Sequence, residues 1–142
     1  MKSFSAAACG LLLLASNFAF AASPEGTWLS QDGATKVRVS DCGGKLCGKV
    51  VWLHVPNDPQ TGKPKTDKLN PDPAKRARPL IGLTVVNGLK PSGPNRWSGV
   101  IYNADDGNTY DASLEVENER TAMLKGCVLK MLCKGQHWTR AD

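Results

Sequence analysis

From residue 109 to 117 the chain alternates without a fault. Tyr110, Ala112, Leu114 and Val116 fall on one side, and Asp111, Ser113, Glu115 and Glu117 on the other. A period of two is that of a β-strand with one buried and one wet face; a helix would scatter the same apolar residues around its axis. Residues 35–40 repeat the pattern, with Val37 and Val39 set against Lys36 and Arg38. Residues 26–30, 46–55, 80–86, 96–103, 120–128 and 136–140 are rich in β-branched and aromatic side chains and also read as strands. The segment 46–55 is apolar on both faces, which predicts a central, well-covered strand. Gln31-Asp32-Gly33, Cys42-Gly43-Gly44-Lys45, Asp105-Asp106-Gly107-Asn108 and Asn118-Glu119 supply turns, and Pro91-Ser92-Gly93-Pro94 is a breaker cluster. Asn87-Gly88 predicts a hairpin.

No helical period of useful length runs through residues 22–142. The expected fold is therefore all-β: about eight antiparallel strands in succession, an up-and-down meander. Closing it into a barrel removes two edges that would otherwise pair with other chains. A two-sheet sandwich fits the same strand spacing.

Residues 56–82 interrupt this rhythm. They are too long for a hairpin turn and too rich in proline for a helix interior. Lys63, Lys65, Lys68, Lys75, Arg76 and Arg78 outnumber Asp58, Asp67 and Asp72, so the loop is basic. Long irregular loops in small domains commonly serve a site.

The N-terminus reads as an export signal. Lys2 is followed by the apolar run Leu11 to Leu14 and by Ala19-Phe20-Ala21, an A-x-A cleavage site. Residues 1–21 are thus assigned to a signal peptide and 22–142 to one domain. The apolar run is shorter than the roughly 20 residues a membrane-spanning helix needs. Cys9 precedes the run and so cannot be a lipid-anchored cysteine. The formal charge of +5 falls to +4 when Lys2 is removed. That balance suits solubility, and equally an anionic surface or an acidic partner.

Of the five cysteines, Cys42, Cys47, Cys127 and Cys133 remain after cleavage. An even number in an oxidising compartment predicts two disulfides, with three pairings open. Each sequence-local pair brackets a turn-like segment, which favours Cys42–Cys47 and Cys127–Cys133. A four-cysteine zinc site lacks its usual spacing.

An ordered series of motifs then stands out: Gly26-x-Trp28, Asp41-Cys42-Gly43, Leu46-Cys47-Gly48-Lys49-Val50-Val51, Asp67-x-x-Asn70-Pro71, Arg78-Pro79-Leu80-Ile81-Gly82, Trp97-x-Gly99-x-Ile101-Tyr102, Gly107-x-x-Tyr110, Gly126-Cys127 and Trp138-x-Arg140. This order resembles the domain-of-unknown-function 2147 family of small exported bacterial proteins across essentially the whole of 22–142. The resemblance implies a lipocalin-like barrel in the periplasm or outside the cell. It brings no activity and no catalytic residues. A looser likeness to lipocalins implies that Trp28 and Arg140 close one end of the barrel through a cation–π contact.

Two groups of residues are candidates for a site. Asp67 and Arg78 form an expected ion pair that shapes the loop as a lid, with Asn70-Pro71 fixing a turn; ordinary turn formation accounts for the same residues. Trp52, Trp97, Tyr102 and Tyr110 either line an internal cavity or fill a solid core. His54 and His137 have no third ligand at a metal-binding spacing, and Asn103-Ala104-Asp105-Asp106-Gly107 lacks the calcium-loop pattern. No nucleophile motif, phosphate loop or nucleic-acid signature is present, and neither a cofactor nor a metal is implied. The sequence points first to a carrier of a small apolar or amphipathic molecule. It points second to an envelope protein with a solid barrel whose basic loop contacts a protein or anionic polymer, and last to an enzyme of unfamiliar chemistry.

Overall fold

The computed structural model describes Gly10, residues 22–129 and residues 131–142. Apart from Gly10, the predicted signal peptide lies outside the described residues. Eight strands follow one another: β1 (Gly26–Leu29), β2 (Thr35–Asp41), β3 (Leu46–Leu53), β4 (Thr84–Gly93), β5 (Arg96–Asn103), β6 (Asn108–Val116), β7 (Thr121–Val128) and β8 (Leu132–Arg140). Each pairs with its neighbours, and β1 pairs with β8, so the sheet closes into an antiparallel barrel. The long β3–β4 connection carries a single 3-10 turn, Pro73–Lys75, started by Asp72, whose carboxylate accepts from Ala74 N–H.

Up-and-down order sorts the connections. The β1–β2, β3–β4, β5–β6 and β7–β8 connections leave one end, called the mouth below. The β2–β3, β4–β5 and β6–β7 turns lie at the other end, with Arg140 of the C-terminal strand. The core fills that closed end: Trp28, Val39, Leu46, Leu89, Leu114, Val116 and Ala122 are buried there. The two disulfides, Cys42–Cys47 and Cys127–Cys133, staple the β2–β3 turn at the closed end and the β7–β8 hairpin at the mouth. No described helix is long and apolar enough to cross a membrane.

Three expectations are corrected. Asn87-Gly88 does not turn the chain: it lies inside β4, where the pairing with β5 shifts register between Asn87 and Lys90. A bulge absorbs the dipeptide because the strand has β3 on one side and β5 on the other to hold it. The same strand runs on through Pro91 to Gly93, and it begins at Thr84 rather than at Leu80. Finally, β3 is not covered on both faces. A barrel sheet has an outer face, and Val51 and Trp52 are exposed on it.

Candidate functional site

Above the packed core the barrel holds a cavity of about 820 Å³ that opens at the mouth. Its floor and walls are apolar: Val37, Val50, Val86, Ile101, Leu124 and Trp138. Its rim is more polar, with Ser30, Asp32 and Thr35 from β1–β2, Asn103 to Asp106 from β5–β6, and Lys134 and Gln136 from β8. This volume falls in the range of small-molecule pockets, and apolar walls with a few polar groups are their usual lining. Gly126, where a larger residue would intrude, also borders it.

Residue by residue, the four aromatic candidates separate. Tyr110 belongs to the inward series of β6 and borders the cavity. Its hydroxyl donates to Asp106 Oδ2, which holds the Asp106 carboxyl below its ordinary range and the Tyr110 phenol above its own. Tyr102 borders the cavity too, but its alternation is out of step with Trp97, Gly99 and Ile101, and its hydroxyl turns to the β3–β4 loop.

Trp97 is not a cavity residue. Its register opposite Leu114 puts it beside the closed-end core, against which it packs half-buried. Trp52 is not one either. Lys36 pairs with Trp52 and Val37 with Val50, so Val51 is an extra residue on β3. That bulge reverses the alternation: Leu53 turns inward to the cavity and Trp52 outward, under the Lys36 ammonium 4.8 Å from its ring.

The loop residues meet in one buried knot. Asp67 is 0% exposed, and both of its carboxylate oxygens are hydrogen-bonded. Tyr102 Oη donates to its Oδ1 at 2.6 Å; Asn70 Nδ2 and Arg78 Nη2 donate to its Oδ2 at 2.8 and 3.1 Å. Backbone bonds support them, from Asp67 N–H to Arg78 C=O and from Asn70 N–H to Asp67 C=O, and Arg76 Nε caps the Asn70 carbonyl. Burial alone would raise the Asp67 carboxyl; the bonds from Tyr102, Asn70 and Arg78 and the Arg78 charge outweigh it and hold it below the ordinary value. Burial and the adjacent carboxylate push Tyr102 up to about 12. The knot fastens the loop to β5, and the Leu69 carbonyl packs against Gly107 of the β5–β6 turn, leaving no room for a side chain there. The loop is thus a fixed buttress beside the mouth.

The remaining candidates stand apart. His54 follows β3, whereas His137, on β8, faces Glu117 with Nδ1 to Oε1 at 3.3 Å. Among the described residues no cluster of three or more metal-ligating side chains occurs. Trp28 and Arg140 lie at the closed end, with the guanidinium carbon 4.3 Å from the ring centroid. Sequence reasoning passed over Trp138 as a site residue. It borders the cavity, is 95% buried, and its Nε1–H has no hydrogen-bond partner among the described residues. The only hint was its inward phase on a closing strand.

The fold has a solved counterpart. Protein HP1028 from the human pathogen Helicobacter pylori, described as belonging to the lipocalin family, superposes with a TM-score of 0.72 at 23% identity, over 85% of this chain and 84% of that one. At that identity the likeness speaks for the fold: a lipocalin-like barrel. No curated protein matches the sequence. The model of a bacterial family described as an uncharacterized protein conserved in bacteria, DUF2147, matches residues 26–140. With that match spanning nearly all of the barrel, the chain belongs to the DUF2147 family.

Proposed function

We propose that this protein is an exported carrier that holds a small amphipathic molecule inside its barrel, in the periplasm or outside the cell. The cavity of about 820 Å³, apolar in depth and polar at the rim, is the observation that carries the reading. A lipocalin-like fold suits such a role, and the two disulfides suit an oxidising compartment. The apolar part of the occupant lies against Val37, Val86, Ile101 and Leu124, and its polar end meets Tyr110 and the rim. The unpartnered indole N–H of Trp138 favours an occupant that also brings an acceptor oxygen to the floor, since a buried donor left unpaired costs about 1–3 kcal/mol. Asp67, Asn70 and Arg78 act as loop supports rather than as ligand contacts.

Native mass spectrometry of protein purified without denaturation tests this, repeated after solvent extraction. The expected result is a discrete extra mass that extraction removes. Leu124→Trp, which fills the cavity from its wall, should abolish that mass while the barrel still melts cooperatively. Trp138→Phe should weaken rebinding of the extracted molecule about tenfold, the worth of one net hydrogen bond near 1.4 kcal/mol. Tight rebinding by the filled Leu124→Trp barrel would place the ligand elsewhere and end the proposal.

A further inference from the structure

The tip of the β7–β8 hairpin is built against the usual rule for a surface turn. Its sequence, Val128-Leu129-Lys130-Met131-Leu132, has four apolar residues and one lysine. Leu129, Met131 and Leu132 are 82%, 85% and 73% exposed. A surface turn ordinarily carries Gly, Asn, Asp or Pro, and apolar side chains this far into water cost solvation with no packing in return. Nor is the tip a loose end, because Cys127–Cys133 closes it and the two strands pair up to Val128 and Leu132.

Three observations say what covers it. First, the β3–β4 connection, which leaves the same end of the barrel, also exposes apolar side chains, Leu69 and Ile81. Second, it runs into the cavity: Val128, Met131 and Leu132 are exposed at the tip and also border the pocket. Third, the hairpin itself is basic: residues 125–134 carry Lys125, Lys130 and Lys134 and no acidic residue. Asp32, Asp105 and Asp106 border the same mouth, so the basic charge is confined to the hairpin. A narrow, convex, apolar tip with basic neighbours matches a fluid apolar medium under an anionic surface better than it matches the flat face of a folded partner.

We infer that the β7–β8 tip inserts into the head-group region of an anionic phospholipid bilayer, with the barrel mouth turned to the membrane. This rests on the carrier reading and deepens it: the side chains that enter the lipid are continuous with the cavity wall, so an amphipathic molecule passes between membrane and barrel along apolar surface. The tip is shallow, and docking is reversible.

The test is flotation of the disulfide-bonded 22–142 protein, freed of extractable ligand, with vesicles of phosphatidylethanolamine and phosphatidylglycerol and with vesicles of phosphatidylcholine alone. Wild type is expected to float with the anionic vesicles, less with phosphatidylcholine, and less as salt rises. The double variant Leu129→Asp with Met131→Asp is expected to lose at least about tenfold in partitioning, as two apolar side chains leave the lipid. Both positions are on the surface, so thermal melting should be unchanged and the loss cannot be blamed on misfolding. Absence of wild-type flotation, or equal flotation of the double variant, would overturn the inference. So would a wild-type dimer in sedimentation that the double variant turns into a monomer, which would make the tip a contact between copies. Because flotation uses ligand-free protein, its failure leaves the mass-spectrometric test of the carrier reading standing.

Discussion

Asp67→Ala is expected to cost about 2–4 kcal/mol of folding stability, because it leaves a half-buried Tyr102 hydroxyl and a buried Asn70 amide without their acceptor and frees the partly exposed Arg78 guanidinium. In a barrel of this size that is a fall in melting temperature on the order of 10 °C or more. Asp67→Asn keeps the shape but puts an amide where one oxygen must accept from both Asn70 and Arg78, so it too destabilises at neutral pH. The two variants differ from wild type in their acid response. The folded Asp67 carboxyl titrates below its ordinary value, so its contribution is complete above about pH 4, where unfolded carboxyls titrate, and is lost as pH falls through the lower folded value. Tyr102 acts at the other limit. With its folded value raised to about 12, its contribution is complete below about pH 10 and is lost as pH climbs from there toward the folded value. Urea denaturation followed by tryptophan fluorescence should therefore show the gap between wild type and Asp67→Asn narrowing as pH drops toward 3, roughly the bottom of the carboxylate range. A gap that stays constant through acid pH would mean that the carboxylate charge does not hold the loop.

The same knot shows where sequence reading stops. Asp67 and Arg78 sit eleven residues apart in one loop, and an acid and a base in a proline-rich stretch suggest each other. Tyr102 is 35 residues from Asp67, on a strand whose alternation gives no sign that its outward side chain will be covered by a loop. Strand existence and order were legible because burial on one face imposes a period of two, and the turns between the strands carried their own residues. What periodicity cannot carry is a change of phase. One extra residue at Val51 sent Trp52 outward and Leu53 inward, and no local signal marks it. Asn87-Gly88 failed for the converse reason: its dipeptide propensity was real, but neighbouring strands on both sides made a bulge cheaper than a turn. The cavity lies beyond sequence altogether. It depends on which strand ends face the mouth, and those residues are spread over β2 to β8.

At the opposite end, Trp28→Ala is expected to be as damaging as any truncation in the core, about 3–5 kcal/mol. Trp28 is fully buried, its Nε1–H donates to the Pro24 carbonyl at 2.9 Å, and its ring carries the Arg140 guanidinium. Arg140 in turn donates to three carbonyls, those of Ser23, Glu25 and Glu119, at 2.6, 2.8 and 2.7 Å. One planar fork thus ties the N-terminal segment, the β6–β7 turn and the C-terminal strand over a single ring. Gly26 is part of the device, since a side chain there would collide with the Arg140 guanidinium. Lysine cannot reproduce the fork, so Arg140→Lys should cost about 1.5–3 kcal/mol despite keeping the charge. A double-mutant cycle between Trp28→Phe and Arg140→Lys should return a coupling of about 0.5–2 kcal/mol, whereas a coupling near zero would reduce the stacking to mere proximity. Well below their melting temperatures, these variants should still bind the extracted molecule as wild type does. The closed end sets whether the barrel stays shut; under the proposed carrier role, the cavity above it sets what the barrel holds.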